Sequence, residues 1–148
     1  MLKVLIAEDQ LLIADLLEDI LVASGYEVCG IARTVEEGIA LGKLHKPDLA
    51  VLDVRLAKGG RGSDIARLIN ADRKIGVLYA TGDDARHSAL TRADGEAAIS
   101  KPYRPDDVIR ALEIIQELNA NGTTKRPFPS GFRLLPESQA ELAEGSAA

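Results

Sequence analysis

Charged and hydroxyl side chains stand where several apolar runs of this sequence end. The acids Glu8 and Asp9 follow "LKVLIA" directly, and Asp53 is the last residue of "LAVLD". Three carboxylates that lie close together repel each other, so they need a cation between them. An all-oxygen set with few carboxylates suits Mg²⁺, which also coordinates phosphoryl oxygens. The three acids therefore indicate a magnesium site.

Two other apolar runs end in groups that complement such a site. Thr81 ends "YAT", and Lys101 follows "AAIS". A hydroxyl and an ammonium beside a cation would stabilise the negative charge of a phosphoryl group in transfer. Asp53 would then be the carboxylate nucleophile that takes this group onto itself. Each residue alone is ordinary, because a strand-terminal aspartate is more often a turn or cap residue, but their coincidence across four runs predicts phosphoryl transfer.

The elements that position these residues are strands alternating with helices. Compact apolar runs predict strands, and apolar residues at helical spacing predict helices. The predicted strands are Leu2–Ala7, Tyr26–Ala32, Asp48–Asp53, Ile75–Thr81 and Ala97–Ser100. The predicted helices are Gln10–Ser24, Thr34–Leu44, Ser63–Ala71, a short one from Asp83 or Asp84 to Arg92, and Asp106–Leu118. Because the central strands are apolar throughout, we expect an α/β fold with a parallel sheet and helices on both faces, whose ligands bind at the carboxyl ends of the strands.

Composition indicates one domain, residues 1–120, with a tail, residues 121–148. The tail is rich in Gly, Pro, Ser and Thr, so it is predicted to be flexible. The alternative is that its apolar residues dock on the domain or on a partner; these are Phe128, Phe132, Leu134 and Leu135. The net charge of -5 argues against a nucleic-acid partner. No run reaches the length of a membrane span and no leader pattern is present, so we expect a cytoplasmic protein with no membrane or DNA partner.

The motifs "AEDQ", "AVLDVRL", "YATG" and "SKPY" resemble those of the receiver domain of bacterial two-component response regulators. The resemblance covers residues 1–120. It implies a flavodoxin-like or CheY-like sheet of five parallel strands in the order 2-1-3-4-5. It also implies that a sensor histidine kinase is the phosphodonor, and that the output is contact with a downstream protein. The downstream protein is not identified by the sequence.

The resemblance also implies a role for each residue of the site. Asp53 would be the phosphoacceptor, Thr81 would sense the phosphoryl group, and Lys101 would pair with it. The metal contacts it implies are Glu8, Asp9, Asp53 and the backbone carbonyl of Arg55. The implied cofactor is Mg²⁺.

One departure from the common receiver pattern indicates a subgroup. Most receivers have an aromatic residue three positions before the lysine, whereas this chain has Ala98 there. Together with "YATG", in which Tyr79 is the first aromatic, this resembles the subgroup named for its "FATGUY" motif. Members of that subgroup are typically single-domain regulators paired with HWE or related histidine kinases.

Two other functions fit some of the same residues. Haloacid-dehalogenase-type phosphatases also use a strand-end aspartate, a hydroxyl, a lysine and Mg²⁺, but they carry a second aspartate two residues after the nucleophile. Here that position is Arg55, which cannot donate a proton at neutral pH. The other alternative is an interaction module that works without phosphorylation, although the full set of site residues is present. We therefore expect a phosphorylated signalling protein that is not an enzyme.

Overall fold

Strands and helices alternate along the residues described by a computed structural model, which are 1–82 and 89–138. Within these ranges the strands are β1 Lys3–Ala7, β2 Glu27–Ala32, β3 Leu49–Asp53, β4 Gly76–Thr81, β5 Ala97–Ser100 and β6 Phe132–Leu134. The helices are α1 Leu11–Ala23, α2 Val35–His45, α3 Gly62–Ile69 and α4 Pro105–Asn121. None of these helices is both long and apolar enough to cross a lipid bilayer.

The strands form one sheet in the order β2-β1-β3-β4-β5-β6. Neighbouring strands from β2 to β5 are parallel, and β6 pairs antiparallel with β5. The α/β class, the five parallel strands and their order are as predicted, and the sixth strand is an addition. The parallel arrangement brings the carboxyl ends of β1, β3, β4 and β5 to one edge of the sheet.

Helices cover both faces of this sheet. Helices α1 and α4 pack on one face through buried apolar residues such as Leu17 and Leu112, while α2 and α3 pack on the other. The contact between α2 and α3 is close, because a Cβ atom at Gly42 would overlap the side chain of Ile69. The predicted two-faced cover is therefore confirmed for the described residues.

The start of α2 has the predicted N-cap at Thr34, and the reciprocal bond of Glu37 goes to the residue before the cap. The Oγ1 atom of Thr34 accepts a hydrogen bond from the backbone N–H of Glu37, at 3.2 Å. The Glu37 carboxylate in turn accepts from the backbone N–H of Arg33, at 2.9 Å. Two backbone donors that the helix itself cannot satisfy are thus paired.

The chain beyond α4 differs from the expected flexible tail. Gly122 adopts a left-handed φ of 78° and ends α4, and β6 then adds to the edge of β5. Phe132 and Leu135 are 8% and 3% exposed, so apolar burial holds this part of the chain. Gly131, with a φ of 76°, lies in the turn directly before β6, and Pro129 and Pro136 lie on either side of the strand. The docking alternative thus describes residues 129–136, while residues 139–148 lie outside the described part of the chain.

The predicted short helix before β5 is only partly covered by the structure. Residues 83–88 of that segment lie outside the described residues, and residues 89–92 are not helical. Leu90 is buried against the α3 face of the sheet. Arg92 donates its backbone N–H to the carbonyl of Pro136, at 2.8 Å.

Candidate functional site

The polar residues predicted at the strand ends meet at one edge of the sheet. Asp53 ends β3 and Thr81 ends β4, while Glu8 and Lys101 directly follow β1 and β5. The register sets Asp53 opposite Ala80, one residue before Thr81. Strand order and register together therefore bring these side chains close to each other.

Lys101 joins the two buried acids of the cluster. Its Nζ atom lies 2.8 Å from Glu8 Oε1, and 2.8 Å and 2.9 Å from the Oδ1 and Oδ2 atoms of Asp53. Glu8 is 2% exposed and Asp53 is 6% exposed. Carboxylates this deeply buried are costly without a partner, and the ammonium supplies one. The backbone N–H of Lys101 also donates to the carbonyl of Thr81, at 2.8 Å.

The donor atoms of three acids are grouped closely enough to hold one cation. One carboxylate oxygen from each of Glu8, Asp9 and Asp53 lies within 4.8 Å of the others. The second oxygen of Glu8 accepts the backbone N–H of Gln10, at 3.1 Å, which fixes its orientation. An all-oxygen set with a half-buried member fits a hard cation such as Mg²⁺, which keeps part of its water shell.

The two buried carboxyl groups have opposite pKa shifts. Burial and the neighbouring Glu8 raise the pKa of Asp53 well above its ordinary value, although Lys101 opposes this shift. Burial also disfavours ionisation of Glu8, but its contacts with Asp53 and Lys101 outweigh burial and lower the pKa of Glu8. The environment therefore favours ionisation of Glu8 over ionisation of Asp53. A further positive charge at the cluster would favour the ionised form of Asp53 and so lower its pKa.

Thr81 and Arg55 flank this cluster in different ways. Thr81 is buried, with 4% of its surface exposed, and its register partner is Ser100, the residue before Lys101. Arg55 lies two residues beyond Asp53 and pairs with Arg61 in an isolated antiparallel bridge. Its backbone is thereby held near the end of β3, and its proposed metal contact stays a prediction.

Sequence reasoning gave no role at the site to Tyr103. This residue is half-buried, and burial together with the negative charges of Glu8 and Asp53 raises the pKa of its phenol. The phenol therefore lies within electrostatic reach of the acids. The only signal in the sequence is its position two residues after Lys101, which does not show where the ring points.

Sequence reasoning also missed Gly62, the first residue of α3. A Cβ atom there would overlap the backbone carbonyl oxygen of Asp53. The backbone N–H of Gly62 donates to the carbonyl of Val54, at 3.2 Å. The glycine-rich loop after β3 thus lets α3 begin directly against the phosphoacceptor candidate.

Comparisons with known proteins give a consistent set of matches. The family model described as "Response regulator receiver domain" matches residues 4–113. The transcriptional regulatory protein PdtaR of Mycobacterium tuberculosis is 35% identical over 114 residues, which are 76% of this chain and 55% of that protein. The chemotaxis protein CheY of Thermotoga maritima is 30% identical over 117 residues, which are 78% of this chain and 98% of that protein. The chain thus spans little more than half the length of PdtaR and almost all of that CheY.

The fold is also shared with a solved structure. A CheY-like response regulator receiver domain protein from Methanospirillum hungatei superposes with a TM-score of 0.71 and 28% sequence identity. The superposition covers 82% of this chain and 99% of that one.

Proposed function

Because this chain belongs to the receiver-domain family of two-component response regulators, we propose that Asp53 accepts a phosphoryl group from a sensor histidine kinase. The observation that carries the proposal is the position of Lys101 Nζ, within 2.9 Å of both Asp53 oxygens at the buried edge of the sheet. An ammonium at that distance holds the carboxylate in place, and it can pair with the oxygens of an arriving phosphoryl group.

The residues of the cluster divide the chemistry between them. A carboxylate oxygen of Asp53 attacks phosphorus, the bond from phosphorus to the donor's imidazole nitrogen breaks, and an aspartyl phosphate forms. Lys101 then pairs with a phosphoryl oxygen, and the Thr81 hydroxyl donates to another. Deep burial strengthens both interactions, because the local dielectric is low.

Glu8, Asp9 and Asp53 are the side chains that would hold Mg²⁺, with the backbone carbonyl of Arg55 as a further contact. Bound there, the ion would neutralise the acids and coordinate a phosphoryl oxygen. The support for this assignment is the grouping of the three oxygens within 4.8 Å, together with the raised pKa of Asp53, which an added positive charge would lower.

The aspartyl phosphate is expected to hydrolyse slowly, as suits a signalling protein, and not at the rate of an enzyme's turnover. Arg55 occupies the position at which a phosphatase of the haloacid-dehalogenase type would carry its general acid. An arginine keeps its proton at neutral pH, so it cannot protonate a leaving group. Steady release of phosphate from an aryl phosphate would favour the enzyme alternative.

The subgroup and the output are also part of the proposal. Ala98 is buried in β5, opposite Tyr79 of β4, which leaves no ring at that position to turn inward. This supports the single-domain "FATGUY" subgroup and a kinase of the HWE type. The net charge of -5 supports output through a protein partner and not through DNA.

Labelling with acetyl phosphate tests the function. In the presence of Mg²⁺ the wild-type protein should gain the mass of one phosphoryl group, and Asp53→Asn should gain none. Asp64→Asn, which changes an acid in the first turn of α3, is the matched control and should be labelled like the wild type. Equal labelling of Asp53→Asn, or labelling of the wild type that does not depend on Mg²⁺, would contradict the proposal. An unlabelled wild type would favour the interaction module that works without phosphorylation.

A further inference from the structure

The outer edge of β5 is covered by residues 129–136 of the same chain, which we call the strap. Its central strand, β6, is three residues long and pairs Phe132 with Ile99, Arg133 with Ala98, and Leu134 with Ala97. A sheet edge without such a partner presents a row of unpaired backbone groups that readily accept another strand. The strap therefore occupies a surface that suits an extended peptide.

Backbone hydrogen bonds extend beyond the three paired residues. Ser100 donates its N–H to the carbonyl of Gly131, at 3.1 Å, and Leu135 donates to the carbonyl of Glu96, at 3.0 Å. The strap thus satisfies backbone groups just outside both ends of the β5 ladder. These bonds do not depend on the strap's side chains, so a strand from another protein could form them equally well.

The side chains of the strap define what the edge accepts. Phe132 and Leu134 lie two residues apart and pack on the face of α1 and α4, while Leu135 packs on the face of α2 and α3. Arg133 lies between them, opposite the small residue Ala98. The edge therefore suits an extended segment with an aromatic residue, a basic residue and two aliphatic residues in succession.

The strap is a short segment at the edge of the sheet, although its residues Phe132 and Leu135 are buried. A three-residue strand is short compared with the usual five or so residues, and Pro129 and Pro136 flank it. The segment leading to it is tied to α4 by partly exposed ion pairs of Arg126 with Glu113 and Glu117, each 2.7 Å long. Exposed pairs of this kind contribute little stability. Release of the strap therefore need not unfold the parallel sheet.

We propose that the β5 edge is a strand-accepting surface and that the strap is its resident occupant. A partner protein binds by adding an extended segment of the strap's chemistry, apolar with one basic residue, in place of residues 129–136. The partner must displace the strap first. Its apparent affinity is therefore its intrinsic affinity for the open edge multiplied by the fraction of molecules in which the strap is open. The surface uses none of the side chains of the phosphoacceptor cluster, so the proposal does not rest on Asp53 being phosphorylated.

A peptide copy of the strap is the probe that tests this surface. The fluorescein-labelled peptide FPSGFRLLPE reproduces Phe128–Glu137, and its binding to the full chain is followed by anisotropy. Arg133→Pro removes a backbone N–H from the middle of β6, so it should open the edge and bind the peptide at least about tenfold more tightly than the wild type does. Arg133→Thr keeps the N–H and is the matched control, with affinity close to that of the wild type. A scrambled peptide should not bind.

A reversible lock gives a second test in which the fold is kept. Ala97 and Leu134 are opposite each other in the register, and cross-strand pairs lie at distances that a disulfide can span. The double variant Ala97→Cys, Leu134→Cys should bind no peptide when oxidised, and it should bind like the wild type when reduced. This comparison decides the proposal even if Arg133→Pro fails to fold.

Three results would overturn the proposal. One is equal peptide binding by folded Arg133→Pro and by the wild type, and another is peptide binding by the oxidised double variant. The third is a wild-type dimer that Arg133→Pro converts to monomers, because that would assign the edge to the strap of a second copy.

Discussion

Glu96 is a buried carboxylate at the end of the sheet opposite the phosphoacceptor cluster. It is 4% exposed. Its Oε2 atom accepts a hydrogen bond from Asn119 Nδ2 at 2.7 Å, and its Oε1 atom accepts from the backbone N–H of Val77 at 3.4 Å. Burial raises the pKa of Glu96, although these bonds and the charges of Lys74 and Arg92 oppose the shift. The side chain thus links β4 to α4 at the cost of holding its proton more tightly.

This raised pKa predicts a pH dependence of stability. The folded protein binds the Glu96 proton more tightly than the unfolded chain does, in which the carboxyl has its ordinary pKa of 4.5. The contribution of Glu96 to the free energy of unfolding is therefore complete below pH 4.5 and is lost as the pH rises through the folded pKa. Glu96→Gln cannot titrate, so the free energy of unfolding of the wild type should fall relative to that of the variant as the pH rises through this range. Urea denaturation over that range, with the exposed Glu36→Gln as control, measures it, and a difference that does not change with pH would contradict it.

Residues at strand ends could be predicted from the sequence, whereas residues placed by loops could not. Glu8, Asp53 and Lys101 each follow an apolar run, so the strand order alone determines where they meet. Tyr103 lies in the turn after Lys101, and Glu96 lies before β5 among charged and small residues. Their positions depend on tertiary contacts that leave no periodic pattern in the sequence.

Helix α3 begins so close to β3 that its first residue must lack a side chain. A Cβ atom at Gly62 would overlap the carbonyl oxygen of Asp53 and would lie 3.0 Å from Leu52 Cβ. Backbone atoms cannot rotate aside as a long side chain can. The start of α3 and the end of β3 are thus fixed relative to each other.

We expect Gly62→Ala to destabilise the protein by about 1–3 kcal/mol, the usual cost of adding atoms to a packed site. Gly82→Ala is the control, because no atom of the described residues lies within 4 Å of the added carbon there, and it should change stability little. Urea unfolding followed by circular dichroism measures both variants. Equal stability of the two would show that α3 can move away from β3.

Most elements could be predicted because local patterns and packing agree. The apolar spacing of α1 and α4 and the capping box of α2 lie in the sequence itself, and the bounds of these helices differ from those predicted by at most three residues. Strand β6 was missed for a physical reason. Its three residues bury little surface on their own, and only the free edge of β5 gives them a ladder to join.

At the scale of the whole molecule, the strap and the phosphoacceptor cluster meet at the carboxyl end of β5. Ser100 donates its N–H to Gly131 of the strap, and the next residue, Lys101, donates its own to Thr81. Lys101 Nζ contacts both buried acids. A movement of Lys101 toward a phosphoryl group would therefore act on the last residue that anchors the strap.

If Asp53 is phosphorylated as proposed, we expect the amide protons of Ser100 and Leu135 to exchange with solvent faster afterwards, because both hydrogen bonds tie the strap to the β5 edge. Hydrogen exchange before and after treatment with acetyl phosphate and Mg²⁺ measures this. The amide of Asn70, which caps α3 by donating to the carbonyl of Ala66, is the internal control and should not change. Asp53→Asn should show no difference at any of these amides. Unchanged exchange in a fully phosphorylated wild type would show that phosphorylation does not loosen the strap.

The two outer edges of the sheet are closed by different means, and the difference bears on how long an open form can last. At β2, Cys29 is an extra residue between the pairs Val4–Val28 and Leu5–Gly30, and such a bulge discourages further strand addition permanently. The β5 edge is closed only while the strap stays in place. A molecule with its strap released can pair with a second copy as well as with its partner. The lifetime of the open form is therefore shorter at a higher concentration of this protein. The concentration of the partner would then decide whether the open form binds the partner or aggregates.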